Sequence, residues 1–141
     1  IAIEISQKNK MKTWVSLLLK NGKQIRNGDS LEETVNLIRD YSVSCLLINC
    51  NRIETVNKGI DNFLSVWRND WGVYPNLGKT DFDNDYFELI KFDNFRDAMR
   101  KYLNLAPSVI GACCGSTPEH ISLLKTLITN KVKNENKNQT L

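Results

Sequence analysis

Apolar residues are spaced in two ways along the chain, and the two ways alternate. Residues 13–19, T-W-V-S-L-L-L, form a short apolar run with strand character. Asn21-Gly22 and Asn27-Gly28 then mark a loop. Ser30, with Glu33 three residues later, is a capping box in which the two side chains satisfy free N–H groups at a helix start. Behind it Leu31, Val35, Ile38 and Tyr41 recur at near-helical spacing and predict one buried stripe. Residues 44–50, S-C-L-L-I-N-C, are almost continuously apolar, as in a parallel strand covered on both faces. A second helix follows, with Val56, Ile60, Phe63, Leu64 and Trp67 on one side. Residues 71–74 read as a short strand stopped by Pro75, residues 77–88 as a polar loop, residues 92–102 as a helix and residues 108–113 as the last strand. Thr117 caps a final helix with Pro118 at its first position, where a missing N–H costs nothing. Ile121, Leu124 and Leu127 or Ile128 form its inner face. Residues 1–5, with isoleucine at alternate positions, read as a strand ahead of all these, so the chain reads as starting inside a fold.

Strands that alternate with helices predict an α/β fold of parallel βα units. The order gives one partial domain over residues 1–129 and a polar, disordered tail over residues 130–141. No Gly-x-Gly-x-x-Gly follows a strand and there is no Walker loop, so a nucleotide fold has no direct support.

Composition narrows the function. The 141 residues are 41% hydrophobic and 25% charged, which is enough apolar material for a core. The net charge of +3 is small and much of the basic excess lies in the tail, so no concentrated patch calls for nucleic acid. No apolar run approaches the roughly 20 residues of a membrane span. The first ten residues lack the basic-then-apolar layout of a signal peptide. The chain therefore reads as cytoplasmic, where thiols stay reduced, and its four cysteines suggest metal binding or catalysis before disulfides.

In a parallel α/β fold, chemistry gathers at the C-terminal ends of the strands. Cys50 ends one predicted strand and Cys113-Cys114 end another. Neighbouring side chains on a regular strand point to opposite faces, so both members of the pair reach one ion only if the backbone bends; Gly115 makes a bend easy. Cys45 has opposite parity to Cys50 and reads as a small hydrophobe packed against a helix. Three thiolates at strand ends would make an open zinc site with a vacant position for a substrate thiol, whose pKa the metal would lower. Spacing alone leaves a second reading open, in which all four cysteines are buried packing residues. A redox role for the Cys113-Cys114 pair lacks a Cys-x-x-Cys motif.

The residues then match a family. G-A-C-C-G-S-T-P-E-H-I at 111–121 resembles the Gly-Gly-Cys-Cys-x-Thr-Thr-Pro-x-His-Ile segment of the homocysteine S-methyltransferases. I-N-C at 48–50 is similar to that family's other zinc-cysteine strand end, and Y-P-N-L-G at 74–78 to its Tyr-Pro-Asn-x-Gly segment. The run from Trp14 to Leu31 resembles the strand, loop and helix start that precede the first cysteine. The resemblance implies a (β/α)8 barrel that uses one Zn²⁺ to activate homocysteine. Cys50, Cys113 and Cys114 would be the metal ligands and the homocysteine sulfur the fourth. The thiolate would take a methyl group from S-adenosylmethionine or S-methylmethionine to give methionine. Glu4 would hold the substrate amino group at a strand end, and Tyr74 and Asn76 would shape the pocket.

Such a barrel takes about 250 residues. The resemblance covers only its C-terminal half, so the fold is expected to be incomplete unless an N-terminal half or a second copy completes it. The alternative function is a truncated, non-catalytic half-barrel remnant that still binds zinc. His120, the one histidine, could serve as a fourth ligand at its helix start, but is expected as a surface or supporting residue of the first helical turn, because the substrate needs the fourth position. Asp81, Asp83 and Asp85 imitate the start of a calcium loop, but Tyr86 and Phe92 replace its glycine and bidentate glutamate, so calcium is rejected.

Overall fold

The computed structural model describes residues 2–81 and 86–138. A first helix, α1 (Ala2–Lys8), leads into strand β1 (Thr13–Leu17). Helix α2 (Leu31–Arg39), strand β2 (Val43–Arg52), helix α3 (Ile53–Val66) and strand β3 (Trp71–Asn76) follow. A hairpin of β4 (Gly78–Asp81) and β5 (Tyr86–Leu89) precedes helix α4 (Phe92–Asn104), strand β6 (Val109–Ile110) and helix α5 (Pro118–Asn138). β1, β2, β3 and β6 lie side by side in that order, every neighbour parallel. This is the parallel α/β arrangement that the alternating pattern predicts. Four strands, each followed by a helix, are half the count that closes a (β/α)8 barrel.

The two faces of the sheet differ. Leu17, Leu46, Ile48 and Val73 alternate onto the face that packs against α2 and α3, where Val35, Ile38, Val56, Ile60 and Phe63 complete a buried core. Each such side chain contributes about 1.5–3 kcal/mol on burial. Trp14, Cys45, Leu47, Gly72 and Tyr74 occupy the opposite face. Gly72 is required there by close approach: a Cβ would stand 2.4 Å from Leu47 Cδ2 and 2.7 Å from the Val109 carbonyl oxygen. Cys45 is buried, but on this face, and not against a helix as its strand position suggested, because Leu46 and Ile48 take the helix side.

The serine half of the capping box forms at the start of α2. Ser30 Oγ accepts from the Glu33 backbone N–H at 3.3 Å, and the Ser30 carbonyl accepts from Thr34 Oγ1 at 2.7 Å. Asn21 Oδ1 accepts from the N–H groups of Lys23 and Gln24, which closes the loop before it.

Three segments depart from the sequence reading. Residues 2–8 are helical. Their isoleucines alternate over too short a window to fix a period, and the half-buried positions Ile3, Ser6 and Gln7 instead follow helical spacing. Residues 77–88 hold the β4–β5 pairing rather than a loop, with Gly78 opposite Leu89 and Asp81 opposite Tyr86. Asp83 and Asp85 lie outside the described residues. The expected disordered tail is helical through Asn138. Residues 119–138 contain no glycine or proline, Lys131 and Glu135 pair at helical spacing, and Lys131 Nζ donates to the Leu103 carbonyl at the end of α4.

Candidate metal centre

All four strand ends that matter point the same way, and Cys50 sits near the end of β2. Between Asn49, opposite Tyr74, and Arg52, opposite Asn76, β2 carries one residue more than β3. This is a β-bulge, which re-aims side chains and is common beside functional sites. Cys50 occupies it with φ 54°, a left-handed backbone that costs a non-glycine residue about 1–2 kcal/mol. The bulge is held by Asn51, whose buried amide accepts from the Leu19 N–H at 2.8 Å and donates to the Leu19 carbonyl at 2.7 Å.

The other two thiols follow β6. The parallel ladder continues past its assigned end: Gly111 N–H donates to the Val73 carbonyl, Cys113 N–H to the Pro75 carbonyl, and Leu77 N–H to the Cys114 carbonyl. The chain then turns. The Cys113 carbonyl accepts from Ser116 N–H at 3.2 Å, and Gly115 has φ 81°, as the third position of a type II turn demands. The turn places Cys113 and Cys114 on one side, which is the bend the sequence anticipated at Gly115. Ala112, between them and β6, is not among the positive-φ residues, so its methyl is accommodated.

β2 and β6 are separated by β3, so their backbones stand roughly 10 Å apart. The bulge and the turn nonetheless bring the sulfurs together. Cys50 Sγ lies 3.6 Å from Cys114 Sγ, and Cys113 Sγ lies 3.8 Å from Cys114 Sγ. All three fall within 4.8 Å of one another, and the cysteines are free. A tetrahedral ion with thiolates at about 2.3 Å holds its sulfurs about 3.8 Å apart. The trio therefore has the spacing and the soft donors of a three-thiolate metal site. Burial, then hydrogen bonding in which the protonated Cys50 thiol donates to the Cys113 and Cys114 sulfurs, pushes the Cys50 thiol from its ordinary 9.0 up to about 12.

The family's sequence model, described as homocysteine S-methyltransferase, matches residues 1–128. The chain belongs to the homocysteine S-methyltransferase family. Homocysteine S-methyltransferase 2 of Arabidopsis thaliana is 25% identical over 128 residues, which are 86% of this chain and 38% of that protein. The selenocysteine Se-methyltransferase of Brassica oleracea var. italica is 25% identical over 129 residues, 86% of this chain and 37% of that protein. The metallated form of the homocysteine methyltransferase MmuM from Escherichia coli superposes with a TM-score of 0.72 at 24% identity, over 89% of this chain and 39% of that one. That likeness shows the fold. The chain thus spans about two-fifths the length of the curated relatives it matches.

Other residues that the homocysteine S-methyltransferase resemblance singled out fall in three places. Tyr74 and Asn76 sit at the end of β3 between the two thiol-bearing strands. Asn76 Nδ2 is 4.0 Å from Cys50 Sγ, and its Oδ1 accepts from Gly78 N–H at 2.8 Å, which fixes the amide. Tyr74 Oη lies 3.0 Å from Ser16 Oγ, so its ring reaches across β2 to β1. Ser16 and Asn51 were not anticipated; a polar residue in a strand and an asparagine beside a cysteine carry no signal until the strands are paired. Glu4 is in α1, not at a strand end, and Tyr41 Oη donates to its Oε1 at 3.4 Å. Tyr41 precedes β2, so Glu4 lies at the end of the sheet opposite the thiols. His120 is buried: its Nδ1 accepts from Thr117 N–H at 3.1 Å, and its ring packs on Phe92 and Phe95 with centroids 5.0 and 4.9 Å away. Among the described residues it is not part of the metal-competent group.

Proposed function

We propose that the chain carries the metal-binding half of a homocysteine S-methyltransferase, with Cys50, Cys113 and Cys114 holding one Zn²⁺. The single observation that supports this is the convergence of three free sulfurs from two non-adjacent strands at tetrahedral spacing. Bound there, Zn²⁺ supplies a Lewis acid that lowers the pKa of a substrate thiol and leaves one position free for it.

The chain's own residues do the rest by position. The bulge and the type II turn aim the three thiols before any ligand arrives, so little rearrangement is needed on binding. Asn76 and Tyr74 form the wall between them, with Asn76 held by Gly78 and Tyr74 by Ser16. Homocysteine loses its thiol proton to solvent. Its sulfur then bonds to the methyl carbon of a sulfonium donor, S-adenosylmethionine or S-methylmethionine. The old carbon–sulfur bond breaks and its electron pair stays on the donor sulfur, which becomes a neutral thioether. Alignment of thiolate and methyl is the main demand on the protein. Free thiols of this kind suit a reducing compartment such as the cytoplasm.

A second reading is zinc binding without methyl transfer. Two measurements separate the readings. Metal analysis of the purified 141-residue chain should give one zinc per chain, retained in Cys45→Ala and lost in Cys114→Ala. Retention in Cys114→Ala would remove the site. Methyl transfer to homocysteine from either sulfonium donor then decides for the enzyme; stoichiometric zinc with no turnover leaves the binding remnant.

A further inference from the structure

His120 is only 7% exposed, yet it stands outside the sulfur trio. It is the third residue of α5, two after Pro118. The residue just before the helix, Thr117, turns its N–H back toward this ring. Thr117 N–H donates to His120 Nδ1 at 3.1 Å, and Thr117 Oγ1 lies 2.8 Å from the same nitrogen. A backbone N–H can only donate, so Nδ1 carries a lone pair and the ring proton sits on Nε2. This is the acceptor half of a capping box, with an imidazole in the place that Glu or Gln usually takes. The ring also packs on Phe92 and Phe95 in the first turn of α4, with centroids 5.0 and 4.9 Å away, and this packing fixes where the acceptor points.

Thr117 is the exit of the turn that carries the thiol pair. Upstream, the Cys113 N–H and the Cys114 carbonyl are tied to the segment that continues β3. Downstream, Ser116 N–H closes the turn on the Cys113 carbonyl at 3.2 Å, one residue before Thr117. Cys114 lies between these anchors and is exposed, with its sulfur 3.6 Å from Cys50 Sγ and 3.8 Å from Cys113 Sγ. We propose that His120 is a positioning residue. As the acceptor for Thr117 it clamps the exit of the turn to α4, and so keeps Cys114 Sγ within reach of an ion shared with Cys50 and Cys113. The consequence for metal affinity rests on the zinc reading above; the consequence for the shape of the turn does not.

Variants of the 141-residue chain separate the acceptor from the packing. His120→Gln keeps an acceptor at the third helical position, whereas His120→Phe and His120→Leu keep apolar bulk without one. In the metal-free protein, deuterium exchange of the Ser116 amide should quicken about tenfold in the Phe and Leu variants, the scale of one lost cap, and return to within about twofold of the parent in His120→Gln. That change should exceed any at the Ile48 amide, which reports opening of the core. Imidazole nitrogen resonances of the parent should show Nδ1 bare and Nε2 protonated. The zinc dissociation constant, read by chelator competition, should rise about tenfold in the Phe and Leu variants and be restored in His120→Gln. A parent chain that takes up no zinc defeats the metal reading, and the Ser116 amide still decides the clamp. The proposal is overturned by a proton on Nδ1, by Ser116 and Ile48 amides that quicken alike or not at all, or by a Gln variant no better than Phe.

Discussion

Cys50 carries three constraints at once: a left-handed φ, a bulge and two sulfur neighbours within 4.8 Å. Its thiol, pushed up to about 12 mainly by burial, is protonated at neutral pH and must lose that proton to bind a metal. Metal affinity should therefore rise with pH, at least tenfold per unit between pH 6 and 8, and should still be rising at pH 9. Competition titrations with a chromogenic chelator at each pH check this; a flat profile would contradict it. The same shift has the opposite sign for the metal-free fold. A thiol whose folded pKa is raised contributes stability below its ordinary 9.0, and that contribution is lost as pH climbs toward about 12. At this scale the convergence of Cys50, Cys113 and Cys114 was legible through the family resemblance that the Cys-Cys-Gly string carries, whereas spacing alone left a packing reading open. Glu4 was not, since its assignment rested on a strand at the start of the chain, and Ala2–Lys8 is helical.

Among the elements, β2 and β3 decide the geometry, and their fit turns on Gly72. Its missing side chain is replaced by Leu47 and Val109, and a Cβ would meet the Val109 backbone oxygen, which cannot move aside as a side chain would. Gly72→Ala should cost about 1–3 kcal/mol in chemical denaturation, with the slope of the transition unchanged. Indifference to the change would mean the two strands are not so closely apposed. Long periodic segments were read well: α2, α3 and α4 were anticipated from apolar spacing and from a capping box. Short or weakly apolar segments were misread. α1 offered five residues of ambiguous period, the hairpin is polar, and the end of α5 is stabilised by a charged pair and a bond to α4 that no apolar pattern encodes.

For the whole molecule, the sequence showed parallel βα units and half a barrel, and the structure has four such units in one sheet. What it hid was how two distant strands meet at a point. The turn at Gly115 was anticipated, but the one-residue bulge at Cys50 was not, because pattern reading resolves elements and not a single residue of register.

The ladder between β3 and the thiol pair reaches further than geometry. Cys113 N–H and Leu77 N–H bond across to the Pro75 and Cys114 carbonyls, so the pair is stitched to the neighbouring strand on both sides of Cys113. Pulling these thiols away from Cys50 would mean shearing the sheet, not swinging a loop. Backbone amide protons at positions 77 and 113 should then trade with deuterium almost as slowly as those of Ile48 and Val73 in the core, whether or not an ion is bound. Fast exchange there in the stripped protein would reveal an adaptable site assembled by its ligand rather than a preset one.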